Sequence, residues 1–257
     1  MEHVRRSARL LASVTDASEA RLVAELGADI VDAKNPAAGA LGALPPATVT
    51  AIRAAVPARV PVSATIGDPV DDIAATLASV RTMADAGADI VKIGISARSG
   101  GDRILAALGS LALERARLVG VLLADEGSGT QFVAAARAAG FAGLMLDTAD
   151  KRRGALPDIL PALELRRFID ATHAAGMFAG LAGSLTAAHV APLLSLAPDV
   201  LGFRGGLCRG GERRSEIDPD AVRRLRDMVP RCDAAPASAC RVPPPGGMAP
   251  RQTEDVA

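Results

Sequence analysis

A phrase that recurs along the chain constrains its fold more than any other feature. Leu26-Gly27-Ala28-Asp29-Ile30-Val31-Asp32 returns as Ala86-Gly87-Ala88-Asp89-Ile90-Val91-Lys92, and looser copies run Ala139–Met145 and Ala197–Phe203. Each copy follows an Ala/Leu/Arg-rich stretch of helical character and ends in a short apolar run. The Gly reads as a helix C-cap and the run as a buried parallel strand. Further apolar runs at Leu10–Val14, Val60–Ile66, Leu118–Leu123 and Met177–Leu181 complete a set of eight.

The strands are therefore expected at 8–14, 28–33, 60–66, 88–94, 117–123, 141–147, 177–182 and 199–203. Helical stretches at 17–26, 69–86, 101–113, 129–139, 160–175, 186–196 and 219–228 separate most of them, and a short helix is expected near 46–55. Strand alternating with helix eight times is the pattern of a (β/α)8 TIM barrel, α/β in class, for which about 250 residues is typical. The 257 residues fit one such domain over 8–230, and the Pro/Ala/Gly-rich tail 231–257 lacks periodicity and is expected to be disordered. An open doubly wound sheet would want a Gly-rich nucleotide turn after its first strand, and none is present.

Composition narrows the function. Aromatic residues are only 2% of the chain and the formal net charge is zero, which argues against stacking on nucleic acid and against attraction to nucleic acid or an anionic membrane. No apolar stretch approaches the roughly 20 residues of a membrane span. The start of the chain lacks a signal-peptide pattern, so a cytoplasmic location is the expectation. The three cysteines show no metal-ligand spacing, and neither a metal nor a cofactor is expected. Assembly into homo-oligomers is left open.

All but three of the 29 basic residues are Arg; the three lysines are Lys34, Lys92 and Lys151. A chain that fills ordinary surface positions with Arg keeps Lys where an amine is needed, because a guanidinium is always protonated and is not a nucleophile. Strand side chains alternate with period two. Ile30, Asp32 and Lys34 then share one face of the second strand, Ile90, Lys92 and Gly94 one face of the fourth, and Gly143, Met145 and Asp147 one face of the sixth. Lys151 follows one short loop later. Three lysines and two carboxylates thus gather at strand C-terminal ends, the rim that carries catalysis in these barrels. The bland alternative, three leftover surface lysines, does not account for that placement. A second ammonium about 6 Å away, at an effective dielectric near 20, opposes protonation by roughly 2.8 kcal/mol, or about two pKa units, which brings an amine toward the range useful for imine formation. Asp32 and Asp147 push the other way but can relay protons.

A second constellation suits phosphate. Gly183-Ser184 follows the seventh strand and Arg204-Gly205-Gly206 the eighth, the two loops with which barrels often bind phosphate through backbone N–H groups. Ser184 can add a hydroxyl and Arg204 a charge; the competing reading of each Gly is a simple turn. Ser13 and Thr65 are weaker candidates for substrate contact. His3, His173 and His189 read as terminal or structural, and Asp125 and Glu126 as caps of the next helix.

The segments Asp32-Ala33-Lys34-Asn35-Pro36, Gly39-Ala40-Leu41-Gly42, Val62–Asp68, Val91–Gly94, Met145–Lys151, Leu181–Ser184 and Gly202–Gly211 carry a resemblance. Over roughly residues 8–230 the chain is similar to the (5-formylfuran-3-yl)methyl phosphate synthases, also called 4-(hydroxymethyl)-2-furancarboxaldehyde-phosphate synthases, of methanofuran-type cofactor biosynthesis. The resemblance implies a (β/α)8 barrel that joins two molecules of glyceraldehyde 3-phosphate into a phosphorylated furan aldehyde, with loss of one phosphate and water. It implies that Lys34 forms the Schiff base, that Lys92 accepts a proton, and that Asp32, Asp147 and Lys151 line the site. Arg152-Arg153 departs from the family pattern, as does the tail. Rival readings are a Schiff-base aldolase on another sugar phosphate, a proton-transfer isomerase without a covalent intermediate, and a non-catalytic phosphosugar-binding barrel.

Overall fold

A computed structural model describes residues 7–231, so the expectation for the tail lies outside the described residues. Eight parallel strands close into a barrel in chain order. They are β1 Arg9–Val14, β2 Ile30–Ala33, β3 Val62–Thr65, β4 Ile90–Ile95, β5 Arg117–Leu123, β6 Gly143–Asp147, β7 Phe178–Leu181 and β8 Val200–Phe203, and β8 closes on β1 with Ala12 opposite Phe203. The helices are α1 Ala17–Glu25, α2 Pro46–Ala55, α3 Ile73–Asp85, α4 Gly101–Gly109, α5 Val133–Ala138, α6 Leu156–Ile159, α7 Ala162–Ala174, α8 Ala187–Leu194 and α9 Pro219–Met228. No helix among the described residues is long and apolar enough to cross a membrane.

The recurring phrase has a physical reason beyond its Gly. Asp29 accepts the N–H of Leu10 at 2.8 Å, Asp89 that of Val62 at 2.8 Å, and Asp199 that of Ala179 at 2.7 Å. Each carboxylate thus stitches the start of one strand to its predecessor. Each also meets a cationic or imidazole partner: Arg226 at 2.5 Å, Arg53 at 2.7 Å and His173 at 2.6 Å. These contacts sit at the N-terminal end of the barrel, the end associated with stability. In the fourth copy, Ala197 takes the Gly position and holds a left-handed φ of 60°.

Some expected elements are shorter than periodicity suggests. Asp72 accepts the N–H of Ala75 and starts α3 at Ile73 rather than 69. α4 ends at Gly109 rather than 113, and the stretch before α5 is a 3-10 turn, Thr130–Phe132. The one-turn helix α6, with Pro157 in its first turn, was not expected.

Two layers of packing result. Outward strand residues such as Val31, Val91 and Leu144 pack under the helices, while Leu11, Ile30, Ile90, Val119, Met145, Phe178 and Val200 fill the barrel interior. Leu41, from the long β2–α2 connection, joins the interior group and is fully buried. Two groups from β3 and its loop pin that connection: Thr65 donates to the Gly42 carbonyl at 2.9 Å, and Asp68 accepts the Leu41 N–H at 2.7 Å. Thr65 is therefore a structural clasp rather than a substrate contact. The folded-back connection leaves Lys34 at the rim beside the interior.

Candidate active site

The barrel mouth holds a cavity of about 320 Å³, and all three lysines reach it, together with Asp32 and Asp147. The parallel register explains one half of the site. Asp32 lies opposite Ser13 on β1 and opposite Ser63 on β3, so both hydroxyls donate to its carboxylate, at 2.8 and 2.6 Å. Lys92, on β4, completes the set at 2.7 Å. Asp32 is fully buried and Lys92 nearly so. Ser63 went unread in the sequence although alternation from Thr65 places it on the inner face.

The other half is built around Asp147 at the end of β6. Lys34 pairs with one carboxylate oxygen at 2.9 Å and Lys151 with the other at 2.6 Å. Lys151 also donates to the Thr148 hydroxyl at 2.9 Å and to the Thr148 carbonyl. Its loop is clamped from the side: Asp125 accepts the Ala149 N–H at 2.5 Å and pairs with Arg153 at 3.1 Å. Arg152 pairs with Asp150. The Arg152-Arg153 departure is thus accommodated by two carboxylates of this loop and its neighbour. Asp125 and Glu126 do not cap the next helix as expected. Asp125 holds the lysine loop, and Glu126 accepts from Ser96 at 2.7 Å, because the chain after β5 turns across the mouth before α5 begins.

The electrostatics favour free amines. Burial pushes the Lys92 amine below its ordinary value; Asp32 opposes the change and the Lys34 charge adds to it. Lys151 is lowered likewise, by burial first and by Lys34 in addition, against the pull of Asp147. Burial alone would raise the Asp147 carboxyl, but Lys34 and Lys151 outweigh it and hold the group well below the usual carboxylate range. Asp147 therefore remains ionised between the two lysines.

The phosphate candidates are brought together in the lining of the same cavity, which includes Gly183, Ser184, Arg204, Gly205 and Gly206. The backbone N–H groups of Gly183, Ser184, Gly205 and Gly206 have no acceptor among the described protein groups. Gly183 has a φ of 107°, and a Cβ there would sit 2.7 Å from the Thr148 side chain. A Cβ on Gly206 would lie 2.6 Å from the Leu185 carbonyl. Only glycine fits at either position, so the loop after β7 can close on the one after β6 at Gly183, and the loop after β8 on the one after β7 at Gly206.

Arg204 departs from its expected role. Its guanidinium pairs with Glu19 at 2.6 and 3.1 Å and donates to the carbonyls of Arg213, Ser13 and Ser215 at 2.9, 3.2 and 3.2 Å. All five donors of the guanidinium are thereby used. Arg204 fastens the β8 loop to β1 and α1 and has no donor left for an anion. The partner was invisible in the sequence because Glu19 is 185 residues away. Arg204→Ala should accordingly lower stability by roughly 1.5–3 kcal/mol, the cost of losing hydrogen bonds to a charged group. Thermal melts check this: a lowered midpoint that Glu19→Gln partly restores is expected, and an unchanged midpoint with weakened substrate binding would return Arg204 to the anion.

His173 and His189 are structural, the first on Asp199 and the second accepting the Thr186 N–H at the start of α8. Ser13 is held by Asp32.

A family model described as 4-HFC-P synthase matches residues 10–226. A Methylorubrum extorquens protein that carries the name (5-formylfuran-3-yl)methyl phosphate synthase provisionally is 41% identical over 231 residues, which cover 88% of this chain and 95% of that protein. The (5-formylfuran-3-yl)methyl phosphate synthase of Methanocaldococcus jannaschii is 34% identical over 240 residues, covering 85% of this chain and 98% of that one. Among solved structures, a 3-hexulose-6-phosphate synthase aligns with a TM-score of 0.62 at 20% identity, covering 86% of this chain and all of that one. This last likeness speaks to the barrel fold alone.

Proposed function

Because the chain belongs to the 4-HFC-P synthase family and is an enzyme, we propose that it condenses two molecules of glyceraldehyde 3-phosphate into (5-formylfuran-3-yl)methyl phosphate through a Schiff base on Lys34. The observation that carries this reading is the pair of amines, Lys34 and Lys151, on one buried carboxylate, with a third amine, Lys92, in the same cavity.

Lys34 stands where a substrate carbonyl entering the cavity would meet it. Attack of its amine gives a carbinolamine; Lys151, on the other oxygen of the same carboxylate and lowered in basicity, can pass the protons needed for dehydration to the imine, while Asp147 stays ionised and holds both side chains in place. Lys92, with its lowered basicity, removes the proton next to the imine carbon, and the imine takes up the electron pair. The enamine adds to the aldehyde of the second triose. Lys151 can protonate a departing oxygen as water and phosphate are eliminated; a hydroxyl of the joined chain then closes the ring on the imine carbon, and expulsion of the Lys34 amine from that carbon frees the enzyme and completes the aromatic furan. Asp32 with Ser13 and Ser63 fixes where the Lys92 amine points. Gly183, Ser184, Gly205 and Gly206 hold a substrate phosphate through N–H groups and the Ser184 hydroxyl.

Mass spectrometry of the product formed from glyceraldehyde 3-phosphate alone tests this. The reading expects a furan phosphate together with free inorganic phosphate. An aldol product without inorganic phosphate would replace it with the aldolase reading, and ligand-induced stabilisation without turnover with the binding-barrel reading.

The lysine cluster also sets a pH dependence of stability. The folded Asp147 carboxyl lies below its unfolded value of about 3.9. Its contribution is therefore full above about pH 4 and is lost as the pH falls through the acid range. Lys92 and Lys151 have the opposite sign to an ordinary paired lysine. Their folded values are lowered, so protonation favours the unfolded chain, and stability gains as pH rises toward 10.5. Thermal melts from pH 3 to 8 should show an acid-side loss that is blunted in Asp147→Asn. An equal acid-side loss in both proteins would remove Asp147 as its source.

A further inference from the structure

Two cavities meet at the barrel mouth. The inner one holds the lysines; the outer one, of about 530 Å³, lies across the loops that follow β2, β3, β4, β6 and β8, and Pro36, Lys151 and Arg213 belong to both. A condensation of two phosphorylated trioses needs room for a second molecule beside the first and a counter-charge for its phosphate. The glycine loops after β7 and β8 face the inner cavity.

The shared wall supplies that charge. Arg213 is half-buried, and its Nη2 donates to the carbonyls of Pro36 at 2.6 Å and Gly39 at 3.0 Å, which braces the side chain across the mouth. Among the described residues, no carboxylate lies within ion-pair distance of it, and its Nε and Nη1 have no protein acceptor. The other cations nearby differ. Arg152 is paired with Asp150 at 2.9 Å, Arg204 with Glu19, and Lys151 with Asp147. Arg98 is largely exposed and leans toward Glu126 at 3.9 Å, and Arg214 is exposed.

We propose that Arg213 binds the phosphate of the second triose, the one that accepts the enamine, in the outer cavity. A cation braced by two carbonyls and partly shielded from water holds an anion better than a freely solvated one, and less rotamer freedom is lost on binding. Lys151, on the same wall, then faces both molecules, as a proton donor to oxygen atoms leaving the joined chain must. The proposal rests on the two-triose reading.

The test separates the two half-reactions in Arg213→Gln and Arg213→Lys. Borohydride reduction at saturating glyceraldehyde 3-phosphate reports imine formation with the first triose, and furan phosphate yield against concentration reports capture of the second. The Gln variant should trap as much imine as the parent, while the concentration needed for half-maximal furan formation rises roughly 10- to 150-fold, the equivalent of one charge-assisted hydrogen bond. The Lys variant, which keeps the charge but not the braced planar group, should recover part of that loss. An unchanged concentration dependence in both variants, or trapped imine falling in step with furan, would overturn the assignment. Failure of the two-triose reading itself looks different: the parent enzyme would trap no imine or release no inorganic phosphate.

Discussion

Lys34→Arg should abolish furan phosphate formation while leaving the barrel folded. The guanidinium keeps a positive charge within reach of Asp147, which Lys34 contacts at 2.9 Å, so the electrostatic frame of the site survives. It cannot form an imine. Every later step depends on that imine as the electron sink, so the loss should exceed the roughly 10²–10⁴-fold that a single acid–base group contributes and reach the background rate. Circular dichroism and melting should match the parent to within about 1 kcal/mol, since the mostly buried rim position opens on the cavity and exchanges one cation for another. Turnover above a few per cent of the parent would show that another amine carries the covalent step.

Lys92→Met should separate imine formation from proton abstraction. The amine sits 2.7 Å from Asp32, deep in the barrel, and its free form is favoured by burial. Its loss should slow turnover by about 10²–10⁴-fold, the usual contribution of a positioned general base, while borohydride still traps substrate on Lys34. The variant also leaves Asp32 buried without its cation, held only by Ser13 and Ser63. Removing one partner of a buried pair costs about 3–5 kcal/mol, so the melting point should fall. Adding Asp32→Asn removes the orphaned charge and should recover part of the stability without recovering turnover. If Lys92→Met alone lost the trapped imine, or if the double variant regained activity, Lys92 would not be the base.

The barrel and the lysine rim were legible because both follow from short periods. Alternation with period two puts Asp32 and Lys34 on one face and Lys92 two residues beyond Ile90, and the closed register then carries Ser13, Asp32 and Ser63 side by side. The repeated Gly marks three helix ends; the role of the Asp two residues beyond the Gly position is not visible in the sequence, because its partners Leu10, Val62 and Ala179 lie on the neighbouring strand. The role of Arg204 is hidden in the sequence for a related reason. Its charge and loop position are visible in one dimension, whereas the Glu19 carboxylate that occupies it comes from the far end of the chain. Arg213 gave no signal at all, since it lies in an aperiodic loop and acquires its position only through the carbonyls of Pro36 and Gly39. The β2–α2 connection was legible as a long loop, but not that Leu41 turns back into the interior, which takes Thr65 and Asp68 to hold it.

The central claim is a covalent bond between substrate carbon and one particular lysine. Incubating the parent enzyme with glyceraldehyde 3-phosphate, reducing with borohydride and mapping the digest by mass spectrometry tests it directly. The account predicts a three-carbon phosphate adduct on the peptide containing Lys34, absent without substrate; an adduct confined to Lys92 or Lys151, or none at all while furan phosphate still forms, would contradict it.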